Sequence, residues 1–450
     1  MFNGFDFKQL LNGKNIKFKL VRDSIGSLIL RAFYILFTFI LGIVLVRSLG
    51  VKNWGVFSYI FSIISILILP AEFGLPILVL RETSSNVASK NWEKVKGLWD
   101  WAGRIIAILT VIIGLVAFIG ILIFGEFVSQ VCKTTFLLGL ILMLLLSFTH
   151  LRGAQLMGLK KVVLGQLSEQ ALVPGILILL VLLDSQFLRT EILPQKAMVL
   201  RIIATGISLI ISTLLWKRFI PKQIRNTLPV NDGKFWLASA LPLAMINGIN
   251  RINNEASLLI LGLFVNSSEV GYYKAAVNFS ILASFALQVI NTVVAPHFAS
   301  MYTEGDMKRL QKLVTISARL ALMINILITS LLFFFGRQIL SLAYGQSFVI
   351  SYLPLIILLV GQCINSAVGS VGYLLNMTQK EKFVIKGISV ATIINIILNF
   401  AFSPRFGMIG AAISTSISMM VSNIYFWVVV RKQLGINSLF IRYKENSEKK

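Results

Sequence analysis

An all-α integral membrane protein with twelve transmembrane helices is the fold class predicted for this 450-residue chain, and three observations predict it. Hydrophobic residues make up 56% of the chain and charged ones 13%, with a mean hydropathy of +0.84, whereas soluble domains carry roughly 25% charge. Mainly apolar runs long enough to cross ~30 Å of hydrocarbon recur twelve times. The 42 Lys and Arg residues are then sorted by side, 29 in one alternate set of connections, seven in the other and six inside spans. A net charge of +24 would suggest nucleic acid in a soluble chain. Here its distribution marks topology, and no nucleic-acid partner is expected.

A basic arm, residues 1–24, opens the chain, and the apolar run after it exceeds the ~7–15 residue core of a cleavable signal, so it reads as an anchor. The first six spans are placed at 25–49, 54–80, 98–124, 134–157, 162–183 and 194–216. They form a first bundle, 25–216. The longest polar connection, 217–234, follows as a cytoplasmic linker. The second bundle, 235–430, holds spans at 235–265, 271–299, 313–335, 352–377, 383–403 and 407–430, and a basic tail covers 431–450. The richer basic set includes both ends of the chain, so both termini are expected in the cytoplasm. Trp54, Trp99, Trp101, Trp216, Trp236 and Trp427 lie near span ends, as interfacial aromatics should.

Six spans on each side of the linker suggest an internal repeat. After span 1 the chain reads Val51-Lys52-Asn53-Trp54-Gly55-Val56-Phe57, and after span 7 Ser267-Ser268-Glu269-Val270-Gly271-Tyr272-Tyr273. The shared pattern is polar-x-Gly-x-aromatic at equivalent positions. With six spans per half, the copies are parallel, related by an axis along the membrane normal.

Span 7 is the chemical exception. Its flanks are apolar, but its middle carries Asn247, Gly248, Asn250, Arg251, Asn253, Asn254 and Glu255. A charge at bilayer centre costs roughly 2.5–3.5 kcal/mol on insertion scales. Arg251 lies about 16 residues into the span, ~24 Å along a helix, which makes snorkelling to the entry side awkward. A polar chamber between helices answers that cost, and it makes the chain a transporter. Two readings of Arg251 and Glu255 stand side by side. They share a helical face one turn apart and neutralise one another, or they join the asparagines in a hydrated, sugar-binding surface.

Other buried charges are Arg31, Glu72, Glu169, Arg201 and Arg319. Arg31 and Arg319 lie near the cytoplasmic mouth, where they either snorkel or line the chamber. Glu72 follows Pro70 and precedes Gly74 and Pro76, a combination that breaks helical hydrogen bonding beside a carboxyl. Glu169, with Gln166, Gln170 and Pro174, repeats the theme in span 5. Each carboxyl either carries a proton or partners a nearby arginine. Cys132 and Cys363 show no ligand spacing, and His150 and His297 stand alone in sequence, so neither a catalytic nor a metal set is expected. Arginine suits a phosphate ligand, because its guanidinium makes two parallel bonds to phosphoryl oxygens.

Several short pieces, in order, point to a family. They are Val46-Arg47-Ser48-Leu49-Gly50 with Gly55 and Tyr59, and Ala71-Glu72-Phe73-Gly74-Leu75-Pro76 closing at Arg81. Arg152-Gly153 with Gly158, Asn250-Arg251 leading to Leu261-Gly262, and Gly271-Tyr272-Tyr273 follow. Asn395, Asn399, Pro404, Gly407 and Gly410-Ala411-Ala412 complete the series. The chain resembles the polysaccharide flippases, the O-antigen and capsule repeat-unit translocases of the multidrug/oligosaccharidyl-lipid/polysaccharide flippase superfamily. The resemblance implies two six-helix bundles facing a central cavity in the bacterial cytoplasmic membrane. It implies alternating-access transfer of an undecaprenyl-diphosphate-linked oligosaccharide to the outer leaflet, with membrane lipids and polysaccharide polymerase machinery as partners. Arg31, Arg251 and Arg319, with Asn247, Asn250 and Asn254, become candidates for the diphosphate or sugar path. Glu72, Glu169 and Glu255 become candidates for coupling or charge balance, with proton or sodium as coupling ion and no cofactor. One departure is Glu72, where the family often has Asp.

Two other functions compete with this one. A cation-coupled multidrug or organic-cation exporter of the same superfamily would want a chamber dominated by carboxylates, which the deep arginines oppose. A membrane glycan polymerase or ligase would want large outer loops bearing catalytic residues, and the outer connections here are short.

Overall fold

Inside hydrocarbon no water is at hand for backbone N–H and C=O groups, so each span closes its own hydrogen bonds as a helix. The computed structural model describes residues 16–187 and 192–439, and every regular element among them is helical. The side chains of 16–29, 31, 32, 127, 186, 187 and 286 lie outside the description. What distinguishes the helices is how they start and break.

Helix α1, Ile16–Glu72, holds the first two crossings. It takes in part of the predicted arm 1–24, whose first fifteen residues, like 440–450 of the tail, fall outside the described residues. The turn between the crossings is Gly50 at φ 71°, ψ 176°, a backbone shape that side chains resist. At Glu72 the helix stops, because Phe73 (φ 46°) and Gly74 (φ 70°) turn left-handed; a proline in the first turn then starts α2, Leu75–Ala88. The predicted span 54–80 is therefore two helices meeting at a carboxyl.

Helix α3, Trp92–Phe124, is capped by the Asn91 side chain on the Lys94 N–H, and α4, Gln130–Gly158, by Ser129 on the Cys132 N–H. Helix α5, Val162–Leu167, runs through a π turn, Ser168–Leu172, into α6, Val173–Phe187. Pro174 has no N–H to close the ordinary ladder, and the wider turn, in which the Val173 N–H reaches the Ser168 carbonyl, absorbs the mismatch. Helix α7, Pro194–Phe219, and the short α8, Lys222–Asn226, complete the first half; the predicted linker 217–234 thus contains a helical turn of its own.

The polar span is α9, Gly233–Phe264. Next come α10, Ser267–Thr303, α11, Met307–Tyr344, and a 3-10 turn at Gln346–Ser351. Then follow α12, Tyr352–Val368, α13, Val371–Met377, and α14, Glu381–Leu434, broken at Gly407 (φ 54°, ψ −134°). Eight helices among the described residues are long and apolar enough to cross a membrane, nine with the bent pair Ser267–Phe285 and Leu287–Thr303. Helices α1 and α14, each broken by a glycine, hold two crossings apiece, and α9 adds the polar one, which gives the predicted twelve.

The chain divides into two compact units whose borders differ from the expected 25–216 and 235–430. One takes the segment ending at Leu41 with Leu67–Thr190 and Gln195–Met245; the other takes Gly42–Ile66, Glu191–Pro194 and the chain from Ile246. Helices α1 and α9 are therefore each divided between units. The first unit's core packs Leu78, Leu98, Trp99, Ile106, Leu151 and Trp236 from α2, α3, α4 and α9. The second packs Phe298, Leu310, Val314, Leu374, Phe426 and Val430 from α10, α11, α13 and α14. On α3, by contrast, Leu115, Val116, Leu122 and Ile123 are all exposed, which in lipid carries no hydrophobic cost.

The repeat pattern has a physical basis in the second unit. A Cβ on Gly55 would fall 1.6 Å from the Ser267 carbonyl oxygen, and one on Gly271 2.5 Å from that of Val51. Two equivalent glycines thus meet at one crossing, because only bare backbones approach so closely. Tyr59 and Gly262 pack in the same way, a Cβ at 262 falling 2.2 Å from the ring.

Candidate functional site

In the second unit, Arg251 and Glu255 turn to neighbouring serines of α1. Arg251 Nη2 donates to Ser65 Oγ at 3.0 Å, and Ser62 Oγ donates to Glu255 Oε2 at 2.6 Å. Both charged residues are half-buried. The serines are one turn apart on α1 as the charges are on α9, so the contacts form successive rungs that continue at Tyr59 and Gly262. Arg251 is thus hydrogen-bonded to a hydroxyl, and its fork of donors retains the geometry that suits a phosphoryl group. Each of the two charged side chains thus has a serine partner on α1 besides its neighbour one turn away on α9.

The asparagines on α9 separate by depth. Asn253 accepts from Thr392 Oγ1 at 3.2 Å. Asn250 is exposed, its Nδ2 donating to the Ile246 carbonyl at 2.9 Å, and with Asn376 and Glu381 it lines a cavity of about 190 Å³. Asn247 is half-buried and Asn254 exposed. Arg319 on α11 is exposed, and the Arg31 side chain lies outside the described residues.

Deeper in this unit is a neutral network. Ser257 Oγ meets Thr415 Oγ1 at 2.7 Å and donates to Asn395 Oδ1 at 3.1 Å. Asn399 Nδ2 donates to Ser257 at 3.0 Å, Ser403 Oγ to Asn399 Oδ1 at 3.3 Å, and the Tyr273 hydroxyl meets Thr415 at 2.8 Å. Asn395 and Asn399, singled out by the resemblance, therefore hold α9, α10 and the two arms of α14 together.

In the first unit the sequence reading missed a residue. His150 on α4 does not stand alone: its Nδ1 lies 2.6 Å from Glu72 Oε1, and its Nε2 lies 3.7 Å from Glu169 Oε1. Glu72 ends α1 at the left-handed break, and Glu169 sits on the π turn, so both irregular backbones deliver a carboxylate to one imidazole. The side chains of Glu72 and His150 are 16% and 20% exposed and that of Glu169 60%, which gives the group a dry end and a wet end. Nothing in the local sequence signals this, because Glu72 lies 78 residues upstream of His150. Among the described residues no group of three acidic, His or Cys side chains is arranged to hold a metal.

A family model described as polysaccharide biosynthesis protein matches residues 21–302. The chain belongs to that family. A curated relative, the probable low-salt glycan biosynthesis flippase Agl15 of Haloferax volcanii, is 22% identical over 386 residues, 84% of this chain and 76% of its own. Among solved structures, a multidrug resistance MATE family transporter of the MOP superfamily in its inward-facing conformation aligns with a TM-score of 0.73 at 14% identity, covering 89% of this chain and 94% of that one. The lipid II flippase MurJ, inward closed, aligns at 0.71 with 16% identity, covering 91% and 87%. These likenesses establish the fold of this superfamily of multi-pass membrane transporters for the family member described here.

Proposed function

We infer that the protein flips a lipid-linked oligosaccharide across the membrane, and more specifically an undecaprenyl-diphosphate-linked repeat unit from the inner to the outer leaflet of a bacterial cytoplasmic membrane. The observation that carries this reading is Arg251, a half-buried guanidinium in mid-span that is hydrogen-bonded to a serine hydroxyl. A permanent cation at that depth is suited to a diphosphate, and the asparagines beside it to sugar hydroxyls. Family membership and the glycan flippase among the relatives support the same class of cargo. Arg31 and Arg319 extend the cationic path toward the cytoplasm, with Asn247, Asn250 and Asn254 along it. The first and second bundles, 25–216 and 235–430, rock against each other in alternating access. Both termini are cytoplasmic, polysaccharide polymerase machinery takes the product, and the protein makes or breaks no covalent bond.

Glu72, Glu169 and Glu255 are assigned to coupling or charge balance. The histidine-bridged carboxylates favour a second reading, a cation-coupled exporter, as does the likeness to a multidrug transporter. One experiment separates them: transport of a labelled undecaprenyl-diphosphate oligosaccharide in proteoliposomes by wild type, Arg251→Ala and Arg251→Lys. The flippase reading expects a loss of about tenfold or more with Ala and partial retention with Lys, the scale of one charge-assisted hydrogen bond. Exchange of an organic cation for protons or sodium, with no lipid moved, would transfer the assignment to the exporter.

A further inference from the structure

We propose that the cavity between α9 and α14 binds the head group of an aminophospholipid such as phosphatidylethanolamine, with the ammonium inside and the phosphate on the lysines beside it. The cavity lies wholly within the second unit and holds about 190 Å³. Isoleucine and valine side chains of both helices wall it, and its polar groups are Asn250, Asn376 and Glu381, all exposed at its mouth. On α14 Glu381, Val384, Ile385 and Ile388 fall at the i, i+3, i+4, i+7 spacing of one helix face, so acid and apolar wall are presented together. One turn deeper on that face Thr392 bonds Asn253 of α9 at 3.2 Å, which joins the two helices just beyond the cavity. Each polar group offers an acceptor. The Asn250 amide uses one N–H on the Ile246 carbonyl and keeps its Oδ1, while the Asn376 amide and the Glu381 carboxylate make no hydrogen bond or ion pair among the described residues. Three oxygen acceptors, one of them charged, match the three N–H donors of a primary ammonium. A choline head has no N–H to offer them. The volume is below the roughly 300–1,000 Å³ of a site for drug-sized ligands and equals about six waters at ~30 Å³ each, which suits an aminoethyl group and not an oligosaccharide.

The neighbouring lysines and the apolar face beyond them favour a lipid as the source of the amine. Lys382 and Lys386 stand one turn apart on the stripe of α14 next to the wall residues; both are exposed, and neither is ion-paired among the described residues. Cations beside a carboxylate complement a zwitterion, which brings a phosphate together with its ammonium. From Lys386 the same stripe continues through Val390, Ile393 and Ile397, which are 39%, 57% and 60% exposed. A phosphate at the lysines therefore leaves its acyl chains along apolar surface. A soluble amine or an amino sugar gains nothing from that stripe.

The inference goes beyond the transport reading and needs neither its cargo nor its coupling. Asn250 also belongs to the proposed sugar path, so the test leaves that residue intact and reads lipid binding rather than transport. The full-length protein is delipidated in detergent, and bound lipid is followed by native mass spectrometry on titration with phosphatidylethanolamine, its mono- and dimethyl derivatives, phosphatidylcholine and phosphatidylglycerol. The expected result is a phosphatidylethanolamine held about tenfold more tightly than phosphatidylcholine, with affinity falling at each methylation as a donor is lost. Glu381→Gln, an exposed position whose shape is kept, should abolish that preference. Lys382→Gln combined with Lys386→Gln should weaken every one of these lipids alike, because all carry the phosphate. Equal affinity across the methylation series, a preference that survives in Glu381→Gln, or displacement of the bound lipid by glucosamine, which would transfer the cavity to an amino sugar, would each overturn the proposal.

Discussion

The polar group around Ser257 in the second unit and the one around His150 in the first are both sunk among transmembrane helices, yet they are opposite in kind. The Ser257 group is neutral, its Asn395, Asn399 and Ser403 are almost wholly buried, and its donors and acceptors meet one another. Every added proton or ion would have to displace a bond already made. The His150 group is charged, sets Glu72 2.6 Å from one ring nitrogen and Glu169 3.7 Å from the other, and reaches solvent through Glu169. The contrast teaches that polarity inside a bundle is of two sorts: neutral networks that close on themselves and fix how helices pack, and charged ones that keep an edge in solvent.

Breaking the closed network should be the costliest change. Asn399→Leu removes the amide that serves Ser257 and Ser403, and a loss of about 3 kcal/mol is expected, read as a lower unfolding midpoint of the purified chain in denaturant titration. Glu72→Leu should cost less, about 1–2 kcal/mol by the same assay, because the Nδ1–H it strands is partly exposed. Glu72→Gln should cost under about 1 kcal/mol, since the amide oxygen still accepts from Nδ1. Asn254→Ala, an exposed position, should fall within about 0.5 kcal/mol of wild type, and any reduction of lipid transport would then report the sugar path alone. A stability loss for Glu72→Gln as large as that for Asn399→Leu would erase the distinction between the two groups.

Much of the fold was legible because its signals are local. Apolar runs announced the crossings, and Gly50, Phe73-Gly74 and Gly407 mark breaks where the chain has glycine or proline close by. The polar middle of span 7 was equally plain, since Arg251, Glu255 and the asparagines are neighbours in sequence. What they touch was not. Ser62 and Ser65 are ordinary residues of an apolar span, and nothing near them records a partner some 190 positions away. His150 failed for the same reason: Glu72 and Glu169 stood out as carboxyls in apolar spans, but nothing in sequence brings either to a histidine on α4. The polar-x-Gly-x-aromatic repeat was visible as a pattern, but its cause, two backbones crossing at Gly55 and Gly271, needed coordinates.

The division of α1 and α9 between the two units bears on how the protein is made. A chain leaving the ribosome exposes its first six crossings well before residue 245 is inserted, yet the first unit counts Gln195–Met245 among its parts, and Trp236 and Ala240 belong to its core. Gly42–Ile66 in turn must wait in the bilayer for the rest of its unit, most of which follows Ile246. Neither unit can therefore mature from a contiguous stretch of nascent chain. A gene severed at the polar connection should yield two fragments that become stable only when synthesised together.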